Sequence, residues 1–205
     1  MDTSRPDDDQ DQQKATLLLY LQRRRADLAG KLEGLGEYDL RRPLVPSGTN
    51  LLGLVKHVAS VQLEYFGEVF GRPGERSFPW LGEDAEPEAD MWATPNESRD
   101  AILALHHFSA AHSDATIEAL PLDARGTVPW WPEERREVTL HTVLVHVISE
   151  IAQHAGHADI LRELIDGSIG RGPGDPNLGD LGAEERARYA SRVEAAARAA
   201  AGMPG

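Results

Sequence analysis

Residues 146–157 contain one carboxylate, that of Glu150, and three imidazoles. With Glu150 as the reference and about 100° per residue on a helix, His146, His154 and His157 all fall within about 40° of it. Val147 and other apolar residues share this arc, so the ionisable groups lie inside or at the edge of the face that packs on a core. Burying an unpaired carboxylate is costly, whereas a bound metal cation removes that cost. The pattern therefore indicates metal chemistry.

Three of these side chains form a candidate metal site. Glu150 and His154 are one helical turn apart, so their head groups can converge on a single ion. A third ligand is more easily supplied by a facing helix, and His57 is the ionisable residue on the apolar face of the second predicted helix. Two histidines and one carboxylate leave coordination positions open, as in catalytic zinc and non-haem iron sites. We predict His57, Glu150 and His154 as metal ligands.

The same residues also have a structural interpretation. A lone histidine on an apolar face is more often a hydrogen-bonded core residue, and a Glu–His pair spaced by four is often a surface hydrogen bond. From spacing alone, both interpretations of His57, Glu150 and His154 stay open. His146 and His157 are candidate catalytic groups that would relay protons, and further ligands or pocket walls are the alternatives.

Other histidines and the tryptophans point less clearly to a site. We expect most of His106, His107 and His112 to be exposed, because they are adjacent or spread over different helix faces. The tryptophans are expected to anchor the core and the loops rather than to form a ligand cage; they are Trp80, Trp92, Trp130 and Trp131.

The elements that must position these residues are helices. Apolar residues recur with a helical period near 14–32, 51–70, 94–120 and 138–166, and an Ala/Arg/Glu-rich helix is predicted near 183–200. No alternating strand pattern is visible. The predicted fold is an all-α four-helix bundle with an additional C-terminal helix. We divide the chain into a disordered acidic tail (1–13), a metal-binding bundle (14–168), and a Gly/Pro-rich loop with the C-terminal helix (169–205).

Composition excludes several functions. The chain has 205 residues, a net charge of −13 and no cysteine. This charge argues against nucleic acid as a partner, and the missing cysteines exclude disulfides, a cysteine nucleophile and cysteine-bound metals. No apolar run is long enough for a membrane span, and the N-terminus lacks the apolar segment of a signal peptide, which predicts a cytoplasmic protein. We expect a small-molecule substrate and no membrane partner; a homodimer stays open.

Two motifs resemble the DinB/YfiT-like superfamily of metal-binding four-helix bundles. They are Ser47-Gly-Thr-Asn-Leu-Leu-Gly-Leu-Val-Lys-His57 and the segment that begins Glu150-Ile-Ala-Gln-His154-Ala-Gly-His157 and continues to Gly167. The likeness covers roughly residues 14–168 and is greatest to a mini-circle-protein-like branch. Many members of the superfamily have histidine at the position of Glu150. The His–Glu–His set resembles instead the mycothiol-dependent maleylpyruvate isomerase group.

The resemblance implies a function. It implies a divalent metal, with zinc as the first choice and nickel or iron as alternatives, held by His57, Glu150 and His154. It also implies a low-molecular-weight thiol, such as mycothiol or bacillithiol, as co-substrate in a transferase or isomerase reaction on a small electrophile. The alternatives are a non-enzymatic metal- or ligand-binding stress-response bundle and a metal-assisted hydrolase. Arg125, Arg162 and Lys56 are candidates for binding an anionic thiol, and the sequence does not select among them.

Overall fold

The structure is a computed structural model that describes residues 6–74, 78–82, 84–171, 175, 177–179 and 181–203. Its helices are α1 (Pro6–Gly30), α2 (Glu37–Arg41), α3 (Leu51–Phe66), α4 (Arg99–Ala119), α5 (Leu140–Asp166) and α6 (Ala183–Ala200). A 3-10 turn (Glu68–Phe70) follows α3, and two short strands, β1 (Arg125–Thr127) and β2 (Glu137–Thr139), precede α5. The all-α bundle with a further C-terminal helix is confirmed.

Helix α3 is the centre of the bundle. It packs against α4 and α5, while α1 packs mainly against α5. Leu54 and Val58 of α3 and Val143 and Val147 of α5 are fully buried in the shared apolar core. This packing is the source of most of the helical stability, because helices in proteins are stabilised mainly by tertiary packing of an apolar face. It also fixes α3 and α5 side by side along the face where the candidate ligands lie.

Local signals set the ends of the two helices that carry those ligands. The Asn50 side chain accepts a hydrogen bond from the Gly53 N–H and caps α3, and the Thr139 hydroxyl does the same for α5 through the Thr142 N–H. Helix α5 ends at Gly167, which has a φ of 78°. A left-handed glycine of this kind is the usual way to satisfy the last carbonyls of a helix.

Several element boundaries differ from the predicted ones. Helix α1 begins at Pro6, inside the expected tail at 1–13, whose first five residues lie outside the described ones. Helix α4 begins at Arg99 rather than at 94, because the Ser98 hydroxyl accepts from the Ala101 N–H and caps the helix there. The preceding Glu97 carboxylate instead accepts from the Thr94 N–H in a separate turn. The domain division remains a prediction; in the structure the chain divides into two compact units after Ile169.

A β-hairpin that the sequence did not indicate leads into α5. Strands β1 and β2 are antiparallel, with Gly126 opposite Val138. Each strand has three residues, which is too short for an alternating pattern to be visible in the sequence. Gly126 is required here, since a Cβ at this position would lie 2.7 Å from the Val69 carbonyl oxygen. Within the described residues, no helix is both long enough and apolar enough to cross a membrane.

His106 corrects one expectation about α4. His107 is exposed and His112 is half-buried, but His106 is only 3% exposed. Burial first, and then the nearby charges of Arg25 and His107, lower the pKa of His106 to about 4. Next to it, the buried Arg25 guanidinium is hydrogen-bonded to Gln62 and Asp114. The sequence did not predict this polar network, because α1 and α3 supply the groups that surround His106.

The buried His106 should make the fold sensitive to acid. Its folded pKa of about 4 lies below the ordinary value of 6.5, so the unfolded chain binds more protons between these two values. Its contribution is present in full above pH 6.5 and is lost as the pH falls towards 4. We expect this loss to reach about 3 kcal/mol in the free energy of unfolding. Denaturant titrations of wild type and His106→Gln should show a smaller loss in the variant.

The matched control for this experiment is His141→Gln on the exposed face of α5. It changes the same chemical group without changing a buried one. A His106→Gln protein that loses as much stability as wild type between pH 6.5 and 4 would contradict the role given to His106.

Candidate metal centre

The three predicted ligands converge between α3 and α5. Glu150 Oε1 lies 3.1 Å from His154 Nε2 and 3.5 Å from His57 Nε2. One potential ligand atom from each of the three residues lies within 4.8 Å of the other two. The rings of His57 and His154 are edge to face, with centroids 4.7 Å apart. The convergence predicted from the sequence is therefore present in the fold.

The geometry of this cluster fits a divalent cation. Ligand atoms bonded at about 2.0–2.2 Å to a tetrahedral zinc lie about 3.3–3.6 Å apart. The distances from Glu150 to the two histidines, 3.1 and 3.5 Å, are close to this spacing. The side chains are also only partly exposed, with 18% for His57, 29% for Glu150 and 11% for His154. The cluster is thus half-sheltered and still reachable by a small molecule.

Asp90, from the loop between α3 and α4, completes the surroundings of His57. Its Oδ2 lies 2.5 Å from His57 Nδ1. An ionised carboxylate only accepts hydrogen bonds, so Nδ1 carries the proton and Nε2 presents its lone pair to Glu150 when the ring is neutral. A histidine bound to metal usually has such a partner on its other nitrogen. Sequence reasoning missed Asp90, because nothing in its own segment distinguishes it from the other loop acids.

The carboxylates and imidazoles of the centre change one another's pKa values. Burial, the largest effect, lowers the pKa of His57, but Asp90 and Glu150 together raise it above its ordinary value. Burial raises the pKa of Glu150, and the neighbouring His154 and His57 bring it below the usual range. Burial, followed by the charge of His57, lowers the pKa of His154. Burial and the repulsion of Asp90 raise the pKa of the nearby Glu64. Glu150, Asp90 and Glu64 place three carboxylates close together, and this concentration of negative charge favours binding of a cation.

A single glycine allows the Asp90 loop to approach α3. A Cβ on Gly53 would lie 1.8 Å from the Met91 carbonyl oxygen. The Asn50 amide also donates to this oxygen, at 3.3 Å. We expect Gly53→Ala to displace the loop, to lower the free energy of unfolding by about 1–3 kcal/mol, and to weaken metal binding. Chemical denaturation and zinc titration would measure these effects.

Gly30→Ala is the control for this substitution. A Cβ on Gly30, the last residue of α1, would meet no atom within 4 Å. This variant should keep the stability and the zinc affinity of wild type. If Gly53→Ala behaved like Gly30→Ala in both measurements, the close approach of the loop would not matter to the centre.

The other two candidate histidines lie beside the cluster. His146 packs between the rings of Tyr65 and Trp131, with centroid distances of 4.8 and 5.0 Å. The Tyr65 hydroxyl oxygen accepts hydrogen bonds from the indole N–H groups of Trp131 (2.9 Å) and Trp130 (3.3 Å). His146 therefore belongs to an aromatic wall one helical turn from Glu150. His157 is exposed, with its ring 5.5 Å from that of His154. Their catalytic roles stay predictions.

Two of the three candidate anion-binding residues have other partners. The Arg162 guanidinium binds Asp166 and the carbonyl oxygens of Lys31 and Glu33. The Lys56 ammonium is buried and bound to backbone carbonyls of the Asp90 loop. Arg125 lies exposed on β1. Lys56 and Arg162 therefore act in the fold, and neither offers a free charge to a thiol.

The fold and the cluster together define a class of protein. An all-α bundle that brings two imidazoles and a carboxylate together between α3 and α5 is the arrangement expected of DinB/YfiT-like bundles. The family model of the mycothiol-S-transferases matches residues 16–167, and the chain belongs to this family. The match begins within α1, extends through α5 and stops before α6. A comparison with curated proteins found no match.

Proposed function

We propose that this protein is a metal-dependent transferase that joins mycothiol to a small electrophile. The observation that carries the proposal is the convergence of His57, Glu150 and His154 within 4.8 Å, in a chain of the mycothiol-S-transferase family. The chain has no cysteine, so the sulfur comes from a separate molecule. Zinc is the first choice of metal, because it accepts histidine and carboxylate ligands, and nickel or iron are alternatives.

Each residue of the centre has a distinct role. His57 and His154 offer neutral nitrogens, and Glu150 offers one negative charge. A divalent cation among them would keep one net positive charge, which favours an anionic partner over a neutral one. When bound, the cation supplies Lewis acidity, which keeps a thiol in its thiolate form at neutral pH. Asp90 holds the His57 ring, and the partly exposed cluster leaves room for the thiol.

The reaction is a substitution at an electrophilic carbon. The mycothiol sulfur forms a bond to this carbon, and the leaving group departs with its bonding electron pair. The thiol proton passes to solvent. The aromatic wall of Tyr65, Trp131 and His146 lies one turn of α5 from Glu150. We assign it the role of contacting the electrophile.

Three measurements on the purified protein test this function. Elemental analysis should find about one divalent metal per chain, as expected for a single three-ligand site. The metal-loaded protein should then convert a chromogenic electrophile in the presence of mycothiol, and the chelated protein should not. Bacillithiol in place of mycothiol tests the choice of thiol.

The outcomes separate the alternatives. Turnover that continues unchanged without any thiol would identify a metal-assisted hydrolase instead. No turnover with any thiol or ester, combined with tight metal binding, would identify a non-enzymatic metal-binding bundle. A protein that binds no divalent metal would overturn the assignment of the centre itself.

A further inference from the structure

Lys56, the residue next to His57, is a buried cation with a full set of partners. It is only 1% exposed. Its ammonium donates to the carbonyl oxygens of Ala89 (2.9 Å) and Trp92 (3.0 Å), and it pairs with Glu97 at 2.8 Å. The two carbonyl oxygens take two of the three ammonium protons, and the Glu97 carboxylate balances the charge. Lys56 is therefore committed to the loop.

The two carbonyls bound by Lys56 stand on either side of Asp90. The loop backbone is thus held before and after the residue that contacts His57. The Trp80 ring covers the ammonium, with its centroid 4.0 Å from Nζ, and its indole N–H donates to the Ser60 hydroxyl at 2.9 Å. A cation shielded by an aromatic face interacts more strongly with its partners than one in water. This set of contacts is well suited to fix the position of Asp90.

We propose that Asp90 and Lys56 are positioning residues for His57. Asp90 holds the ring in the tautomer with the proton on Nδ1, so that Nε2 points to Glu150, and Lys56 holds the backbone that carries Asp90. The proposal goes beyond the proposed function and rests on it for the identity of His57 as a ligand. The orientation of the ring itself does not depend on a bound metal.

The arrangement follows from the order of residues along α3. Lys56 and His57 are consecutive, so their side chains leave the helix about 100° apart. Residues 89–92 of the loop cross this part of α3, where one side chain anchors the backbone and the next meets Asp90. Helix and loop are thus joined twice at neighbouring positions. Removal of either contact should loosen the other.

The tautomer of His57 is the first readout. Nitrogen-15 NMR of the metal-free protein distinguishes a proton on Nδ1 from one on Nε2. At a pH where the ring is neutral we expect the Nδ1–H form in wild type, and in Asp90→Ala a mixture of both forms. Asp90→Asn keeps an acceptor oxygen and should restore the Nδ1–H form. Glu86→Gln, which removes a carboxylate from the exposed part of the same loop, should leave the tautomer unchanged.

Zinc affinity, measured by competition with a chelator, is the second readout. Asp90→Ala should weaken zinc binding by about 10- to 100-fold, the range typical for loss of a residue that hydrogen-bonds to a metal ligand. Lys56→Met should weaken it less, and this loss should disappear in the Asp90→Ala background, because Lys56 acts through Asp90. If Lys56→Met fails to fold, Glu97→Gln removes one partner of the ammonium and takes its place.

The two readouts fail in different ways. An unchanged tautomer in Asp90→Ala overturns the positioning role, whether or not zinc binds. Losses from Asp90→Ala and Lys56→Met that simply add also overturn the link between them. If wild type shows the predicted tautomer but binds no zinc, the positioning of the ring stands and the proposed metal function is wrong.

Discussion

Replacing Glu150 with alanine is expected to lower zinc affinity by at least about 100-fold while the protein stays folded. Loss of a residue that hydrogen-bonds to a metal ligand typically lowers metal affinity by about 10- to 100-fold, and loss of a ligand itself should lower it by more. Imidazoles tolerate burial in their neutral form, and the Glu150 side chain is 29% exposed, so its loss leaves only a small cavity. Transferase activity with mycothiol should fall with the metal. Circular dichroism and zinc titration would measure both parts of this result.

Glu163→Ala is the matched control on the same helix. Glu163 is exposed, and it lies near the end of α5, away from the cluster. This variant should bind zinc and turn over substrate as wild type does. One tightly bound metal per chain in Glu150→Ala would remove Glu150 from the ligand set.

Zinc itself should stabilise the fold strongly. A ligand that binds only the native state adds about 4 kcal/mol when its free concentration is about 1,000 times its Kd. For a chain of 205 residues, each kcal/mol raises Tm by about 2–4 °C, so the expected increase is about 8–16 °C. Helices α3 and α5 are far apart in the chain, and only the folded state brings their ligands together. Differential scanning fluorimetry with and without zinc would measure the shift.

The control for this experiment is His57→Ala, which removes the single ligand on α3. The two remaining ligands, on α5, are one turn apart and can meet in any state in which that helix forms. Zinc should therefore raise the Tm of this variant by much less than that of wild type. An equal increase in both proteins would show that the ion does not join the two helices.

The sequence allowed the fold class and the three converging residues to be predicted for a physical reason. Glu150 and His154 are related by the helical repeat, which is a local property, and their apolar neighbours show which way they face. The bundle then restricts the position of a third ligand to a facing helix. His57 followed from its place on the apolar face of α3.

Other features depend on contacts between distant segments and were not predictable in this way. Asp90 lies in a loop without periodicity, and its role depends on Gly53 and Lys56 holding that loop on α3. His106 looked like an exposed residue, because the sequence of α4 does not reveal that Arg25 of α1 lies against it. The β-hairpin was missed since its strands have three residues each.

All four tryptophans of the chain lie around one length of α3. The Trp80 ring and the Trp92 backbone carbonyl contact Lys56, and the indoles of Trp130 and Trp131 donate hydrogen bonds to Tyr65. Intrinsic fluorescence and near-ultraviolet circular dichroism therefore report on this region rather than on the bundle as a whole. A spectroscopist who follows these signals during titration or heating observes the surroundings of His57 directly, while far-ultraviolet circular dichroism follows the helices. If the tryptophan signals change before the far-ultraviolet signal does, the loops beside the centre rearrange before the helices unfold.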